Sequence, residues 1–135
     1  KVSDHAQRKG RVRTVLGRQC RFDLWEPKSF GAHKAYPYEK AVEEYGSNIG
    51  LKRAGTYKAL NRLIQGSAAD QIKKAMVELY KEGIIPMIQI HNELAISMEN
   101  EDKKDKIIEI MENCLEMEIP SKVDLAIGNN WGEAK

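Results

Sequence analysis

The feature that most constrains this chain is a long amphipathic segment in its middle, from about Ala54 to Glu82. Its apolar residues recur at helical spacing and form one stripe, which consists of Leu60, Leu63, Ile64, Ala68, Ile72, Ala75, Met76 and Leu79. A helix of this length, closed by Gly83, has to pack its stripe on other elements. The pattern therefore predicts a central helix around which the shorter segments are arranged.

Inside this helix lies a run of small residues, QGSAAD, from Gln65 to Asp70. Glycine in a helix interior costs about 1 kcal/mol relative to alanine, so Gly66 needs a reason. Small residues in a row indicate the close approach of another backbone or of a ligand. A tight contact between the helix and a sheet explains the run equally well, and both interpretations can hold together.

The stretch IQIHNELAIS places two apolar runs around His91, Asn92 and Glu93. Both runs have the alternation or composition of strands, which predicts a β-hairpin with the polar trio at its tip. Asparagine tolerates a positive φ, so Asn92 is the expected turn residue. From this stretch alone the trio is either a solvated turn or the tip of a functional site, and the turn is favoured.

The remaining segments predict an α+β fold. We expect a helix end closed by Gly10, an Arg-rich strand with a turn at Gly17, and a loop-rich segment at about 22–50 with a short helix ended by Gly46. A second long helix over 100–118, capped by Asn100, and a last strand at 122–128 are expected after the hairpin. Four aromatic residues are expected to pin the loop: Trp25, Phe30, Tyr36 and Tyr38. The result is a single fragment, residues 1–135, of long helices packed on a small antiparallel sheet, with a β-hairpin carrying the His-Asn-Glu tip.

Composition excludes several classes of protein. With 31% charged residues, and no run near the roughly 20 apolar residues of a spanning helix, we expect no membrane partner. The N-terminus has no signal-peptide core, and a cytoplasmic location is expected. Cys20 and Cys114 lie far apart, which favours free thiols in a reducing compartment and no zinc site. The absence of an initiator Met suggests a piece of a longer protein.

Charge is divided unevenly along the chain. Residues 1–65 carry 14 Lys/Arg against 6 Asp/Glu, a net of +8, whereas residues 66–135 carry 8 against 14, a net of −6. A basic half can bind phosphates by ion pairing and counterion release. The arginines Arg11, Arg13, Arg18 and Arg21 are candidates for such contacts. Two ordinary solvated faces would give the same charge distribution, and charge alone favours that interpretation.

Taken together, KALNRLIQGSAAD and the later HNEL resemble motifs of the family A DNA polymerases, the DNA polymerase I type. In that family an Asn and a Gln four residues apart precede Gly-[Ser/Thr]-Ala-Ala-Asp, and a strand–turn–strand carries His-Asp-Glu. The upstream GRVRTVLGRQCRF resembles the family's strand with its Gly-Arg-Arg turn, and GNNWGEAK resembles its closing Gly-x-x-Trp. The extended segment at 22–50 is more similar to phage members than to the short bacterial version.

The resemblance implies a C-terminal part of the palm subdomain of a template-directed DNA polymerase, with a phage-like extension. If a phage encodes it, the protein is expected to act in the cytoplasm of the bacterial host. Such an enzyme transfers a deoxynucleotide to a primer 3′-hydroxyl and uses two Mg²⁺ ions roughly 3.5–4 Å apart. The implied partners are primer–template DNA, a dNTP, and the remaining fingers, thumb and palm. No upstream Asp motif or fingers helix is recognisable in the chain. We therefore expect the isolated 135 residues to be inactive and to bind Mg²⁺ weakly or not at all.

Individual residues take their implied roles from the family motifs. Asn92 stands at the position of the metal-binding Asp, and Glu93 matches the supporting carboxylate, so these two are the implied catalytic and metal residues. The implied primer and DNA contacts are His91, Asn61, Gln65, Arg62, Lys58 and Arg18. Amide donors suit the minor groove because hydrogen-bond acceptors occur there on every base pair, which allows pairing geometry to be checked without reading sequence.

Two positions depart from the family pattern. Tyr57 replaces an Arg one turn before Asn61, with Lys58 or Arg62 as candidate substitutes. Asn92 replaces the metal-binding Asp and offers one neutral oxygen instead of an anion. Either Glu93 or another carboxylate takes over metal binding, or the polymerase is impaired and retains only DNA binding, or the substitution is deliberate. A small interaction domain with accidental similarity is the remaining alternative.

Overall fold

The computed structural model describes residues 1–134, in which four helices are interspersed with short strands. The α-helices are α1 (Val2–Lys9), α2 (Tyr38–Tyr45), α3 (Ala59–Lys81) and α4 (Lys104–Asn113). The strands are β1 (Arg11–Arg13), β2 (Gln19–Arg21), β3 (Leu24–Pro27), β4 (Tyr36–Pro37), β5 (Leu51–Arg53), β6 (Pro86–Ile90) and β7 (Glu93–Ile96). The predicted α+β class is confirmed. Within the described part the strands form three small antiparallel sheets, with orders β1-β2, β4-β3-β5 and β6-β7, where one sheet was expected.

Contacts between Cα atoms divide the chain into two compact units, Lys1–Ser67 and Ala68–Lys135. Helix α3 begins in the first unit and continues into the second, and each unit is described separately below. No helix among the described residues is long and apolar enough to cross a membrane. The last residue of the closing GNNWGEAK motif, Lys135, lies outside the described residues.

The first unit is organised around a short helix and a hairpin. Gly10 ends α1 in the left-handed conformation, at φ 69°, as the sequence predicts. Strands β1 and β2 then form the expected Arg-rich hairpin, which turns through Gly17 at φ 84°. Helix α1, the hairpin with the residue that follows it, and the start of α3 form the core of the unit, which contains Ala6, Val12, Phe22 and Ala59. This packing fixes the N-terminal end of α3 against the hairpin.

The segment at 22–50 is more ordered than the loop-rich prediction. Strand β3 pairs with both β4 and β5, and α2 follows β4 directly. Trp25 packs edge-on against Tyr38, with ring centroids 5.1 Å apart, and Arg53 covers its face at 4.5 Å. Short strands interrupted by Pro and Gly give weak sequence signals, which is why the sheet was missed. Phe30 does not pin the segment, because its side chain is fully exposed.

The second unit packs one hairpin and one helix around the C-terminal part of α3. Leu79 and Ile84 form its core with Ile107 of α4, and the alternating apolar residues after the hairpin tip pack on this core, as predicted: Leu94, Ile96 and Met98. The Asn100 side chain accepts a hydrogen bond from the Asp102 backbone N–H at 3.2 Å, which confirms the expected cap. A 3₁₀ turn precedes α4, which ends at Asn113, short of the predicted boundary.

Two sequence predictions about packing are wrong. The apolar stripe of α3 is buried at Ile72, Ala75 and Leu79, but Leu60 and Ile64 are about half exposed. In the first unit the hairpin contacts a neighbouring face of the helix instead. The strand expected at 122–128 is absent from the described structure, since no described segment offers its backbone a hydrogen-bonded partner strand.

Candidate functional site

One face of α3 in the first unit carries two exposed amides. Asn61 and Gln65 lie one helical turn apart, so their side chains leave the same face of the helix. Neither side chain has a hydrogen-bond partner among residues 1–134. Each amide can donate two hydrogen bonds and accept others, so this face is free to bind a ligand rich in acceptors.

The β1–β2 hairpin braces this part of α3 from the neighbouring side. A Cβ added at Gly66 would lie 2.7 Å from Thr14 Cγ2, a distance that real Cβ atoms do not reach. Arg18 Nη2 donates to the Gly66 carbonyl at 2.8 Å, and the Val15 N–H donates to Ser67 Oγ at 3.1 Å. The close approach inferred from the small-residue run is therefore a contact with the hairpin. It holds the backbone under Gln65 in place.

Cationic residues flank the two amides. Lys58 is exposed, and its Nζ lies 5.4 Å from the Tyr57 ring centroid. The Arg62 guanidinium stacks over Phe22 at 5.0 Å and also approaches Cys20 Sγ at 3.8 Å. Arg18 serves the brace described above, yet it remains exposed. The structure thus gives Arg18 and Arg62 packing roles, and their suggested DNA contacts remain predictions.

The polar trio of the second unit forms the tip of the predicted hairpin. His91 and Asn92 make up the loop between β6 and β7, and Glu93 begins β7 opposite Ile90. The left-handed residue is His91, at φ 53°, and not Asn92 as expected. The Gln89 side chain donates to the His91 carbonyl at 3.0 Å, which satisfies an acceptor at the turn. All three tip residues are exposed.

The C-terminal tail reaches the same tip. Trp131 Nε1 donates to Glu93 Oε1 at 3.5 Å, a long contact between two exposed side chains. The sequence singled out Trp131 only as part of a closing motif, and no local pattern relates it to Glu93. The bracing role of Thr14 was missed for the same reason, because it depends on a contact between segments that the sequence does not align. The Gln89 bond is local to the hairpin, but no motif in the sequence indicates it.

The described residues do not by themselves fit a divalent metal site. They contain no group of three or more His, Cys, Asp or Glu side chains that could hold an ion. At the hairpin tip, Glu93 supplies one carboxylate and Asn92 one neutral amide oxygen. Magnesium favours near-octahedral sets of hard oxygen ligands with one or two carboxylates. A metal site at this tip would therefore require ligands from outside the described residues.

The two thiols are free, as the sequence predicted. Cys20 is half-buried in the first unit, whereas Cys114 is buried among Ala75 and Leu115 in the second. Burial raises the pKa of the Cys114 thiol. Because the thiolate is the reactive form, Cys114 belongs to the packed core and has no feature of a nucleophile.

Comparison with known proteins assigns these features to one family. The model for DNA polymerase family A matches residues 1–133. A DNA-directed DNA polymerase of Pseudomonas phage M6 is 37% identical over 125 residues, which cover 93% of this chain and 15% of that protein. DNA polymerase I of Bacillus subtilis is 37% identical over 97 residues, which cover 65% of this chain and 11% of that protein.

A solved structure gives the same assignment. The POL domain of Pol1 from M. smegmatis, in complex with DNA primer-template and dNTP, is similar with a TM-score of 0.68 and 29% sequence identity. The similarity covers 98% of this chain and 22% of that one, so the chain spans a small part of the proteins it matches. The family match over nearly all residues exceeds what accidental similarity of a small interaction domain would give. The chain belongs to DNA polymerase family A.

Proposed function

We propose that this chain works as the C-terminal palm portion of a longer, template-directed DNA polymerase. The single observation that carries the proposal is the exposed amide pair Asn61 and Gln65 on a helix braced at Gly66. Minor-groove acceptors recur on every base pair, so two rigidly held amides can contact a new duplex whatever its sequence. The chain would thereby hold the primer–template while other parts of the polymerase bind the dNTP.

The hairpin tip would lie near the primer terminus in the complete protein. We assign the primer contact to His91, which is exposed at the turn of the hairpin. Glu93 would act as the supporting carboxylate near the reacting phosphates. Lys58, Arg62 and Arg18 would add positive charge near the duplex. The fingers, the thumb and the rest of the palm complete this arrangement as partners.

Polymerases of this family use divalent metal ions, and we propose two Mg²⁺ ions in the complete enzyme. The tip of this chain offers one carboxylate, so the remaining ligands would come from other parts of the protein. The isolated chain is then expected to bind Mg²⁺ weakly or not at all, and not to extend a primer. We place the protein in the cytoplasm, that of a bacterial host if it is encoded by a phage.

A second function is favoured by one specific observation, the amide at position 92. Replacing a metal-binding carboxylate by Asn92 weakens cation binding while the fold and the amide face of α3 stay intact. The protein would then be an impaired polymerase that binds primer–template without extending it. This alternative differs from the first in catalysis and not in DNA binding.

Primer extension by the longer protein, with the isolated chain assayed in parallel, tests the proposal. We expect the longer protein to extend a primer in a Mg²⁺-dependent manner and the 135-residue chain to give no product. A longer protein that binds primer–template without metal and never extends it would support the binding-only function. A protein with no affinity for duplex DNA would contradict both.

The salt dependence of binding tests the contribution of the basic half. Lys and Arg side chains that neutralise phosphates release counterions, so affinity should fall steeply as salt increases. Fluorescence anisotropy of a labelled primer–template, measured at several salt concentrations, reports this slope. A flat response would mean that the Arg-rich hairpin does not bind phosphates. Its arginines would then be solvated, and the hairpin would serve only to brace α3.

A further inference from the structure

The last residues of the described chain form a turn that is stabilised by its own hydrogen bonds. Glu133 accepts from the Asn129 N–H and Nδ2 at 3.2 Å each, and from Asn130 Nδ2 at 2.7 Å. The Glu133 and Ala134 N–H groups donate back to the Asn130 carbonyl, at 3.1 and 3.3 Å. This set of bonds closes the segment on itself and gives Trp131, near its apex, a defined position.

Gly128 is required at the start of this turn. A Cβ added there would lie 2.7 Å from the Ala134 backbone nitrogen and 2.8 Å from the Glu133 carbonyl carbon. Backbone atoms cannot move aside as a flexible side chain can, so any larger residue would open the turn. We call the segment from Gly128 to Ala134 the tail turn.

The tail turn points its one indole N–H at the hairpin tip. Trp131 Nε1 lies 3.5 Å from Glu93 Oε1, and an indole nitrogen can donate but not accept. Glu93 is exposed, and among residues 1–134 its carboxylate has no other hydrogen-bond or ion-pair partner, so without this contact its side chain would sample several rotamers. Holding a side chain in one productive orientation is a known source of rate enhancement.

We propose that Trp131 is a positioning residue, which fixes the orientation of the Glu93 carboxylate through its indole N–H. The tail turn is the support that holds the indole in place. The role in primer extension rests on the proposed function, because it requires that Glu93 act near the primer terminus. The contact between Trp131 and Glu93 does not rest on that function, so the contact and its effect on primer extension are measured separately.

The first measurement detects the contact in the 135-residue chain. The indole N–H signals of Trp25 and Trp131 are resolved by ¹H–¹⁵N NMR and assigned with the Trp131→Phe variant. We expect Glu93→Gln to move the Trp131 signal and to leave Trp25, which packs on Arg53 and Tyr38, in place. An unmoved Trp131 signal would overturn the proposal.

The second measurement detects the effect on primer extension by the longer polymerase. Trp131→Phe keeps an aromatic ring but removes the donor, and we expect kcat to fall about 3- to 10-fold, as for loss of one hydrogen bond. The KM for dNTP should change less than twofold. In the Glu93→Gln background the same change should have no further effect, because interacting residues are not additive.

The controls separate positioning from folding and from the proposed function. Glu133→Ala leaves both partners present but loosens the tail turn, and it should lower kcat in the same direction. Equal losses from Trp131→Phe with and without Glu93→Gln, or no loss at all, would overturn the positioning role. A wild-type polymerase that fails to extend primers would overturn that role together with the proposed function, whereas an unmoved indole signal in an active polymerase overturns the positioning role alone.

Discussion

The amide face of α3 and the hairpin tip are supported in different ways. Around Gly66 the first unit uses a close backbone contact and hydrogen bonds from a neighbouring hairpin, with Thr14 buried beside it. The tip at His91 is held by one amide from its own strand and by one indole from the tail. A face that recognises duplex shape benefits from rigidity, whereas the tip depends on a few exposed contacts.

The two regions also differ in how closely their residues match the motifs that the resemblance to the family implies. Asn61 and Gln65 agree with the motif that the family resemblance implies, whereas Asn92 stands where that resemblance implies a carboxylate. Changes at the tip should therefore act on catalysis, and changes on α3 should act on DNA affinity. Four sets of substitutions test this difference and the supports of the two regions.

The largest effect is expected from Asn92→Asp in the longer polymerase. An aspartate adds an anion where the amide has none, and unit charges 4 Å apart interact by about 4 kcal/mol at an effective dielectric of 20. At about 1.4 kcal/mol per tenfold in rate, primer extension should increase by one to three orders of magnitude. Steady-state extension rates with saturating DNA provide the measurement.

Its control is the affinity for primer–template, which should change by less than a factor of three because the amide face of α3 is untouched. A wild-type protein with robust extension that Asn92→Asp leaves unchanged would show that position 92 does not limit catalysis. In that case Glu93 or another carboxylate would already supply the needed charge.

The next largest effect is expected from removing the exposed amides of α3. Asn61→Ala and Gln65→Ala should each weaken primer–template binding by about 3- to 10-fold, the value of one hydrogen bond. Because minor-groove acceptors do not depend on sequence, the loss should be the same for A·T-rich and G·C-rich duplexes.

Fluorescence anisotropy checks this prediction, with Asn48→Ala as the control. Asn48 is an exposed amide of the same unit that lies outside α3, so its loss should leave affinity unchanged. If Asn61→Ala, Gln65→Ala and Asn48→Ala all weakened binding equally, the amide face would have no special role in DNA affinity. The proposed division of roles between α3 and the tip would then fail.

Local sequence patterns predicted the elements of this fold better than their packing. The helix end at Gly10, the cap at Asn100 and the hairpin around His91 follow from preferences of neighbouring residues. The exposure of Leu60, and the lack of a strand at 122–128 among the residues that the structure describes, depend on which segments meet in space. A periodic pattern identifies an apolar face but not the element that covers it.

The candidate site was predictable to the same extent. Its residues could be named from motifs, since Asn61, Gln65 and the tip have fixed spacings. Their supports could not, because Thr14 meets Gly66 and Trp131 meets Glu93 only after the chain has folded. Amino-acid preference predicts the positive φ of the turn at Asn92, but the structure has it at His91.

A change in stability, and not in the chemistry of the site, is expected from Gly66→Ala, which tests the brace on α3. The new Cβ would meet Thr14 Cγ2 at 2.7 Å, and Thr14 is only 6% exposed, so the overpacking should outweigh the gain in helix propensity. We expect a net loss of about 1–2 kcal/mol in the free energy of unfolding, measured by urea denaturation.

Removing the methyl group should reverse the sign of this change. In the Thr14→Ser background Cγ2 is absent, and Gly66→Ala should stabilise the protein by up to about 1 kcal/mol through helix propensity alone. A loss of stability in both backgrounds would mean that Gly66 is needed for a reason other than the hairpin contact, and the rigid support of the amide face would have to be sought elsewhere.

The smallest effect is expected from the backbone of the hairpin tip. His91 has φ 53°, where glycine is unstrained and β-branched residues are strongly disfavoured. His91→Val should therefore be less stable than His91→Gly by about 1 kcal/mol, measured by urea denaturation. Both variants lose the imidazole, so they should lose the primer contact equally. Their difference in stability therefore measures only the cost of the positive φ at the turn. Equal stability of the two would mean that the tip relaxes freely, which would make the support from Gln89 and Trp131 more important for holding Glu93 in place.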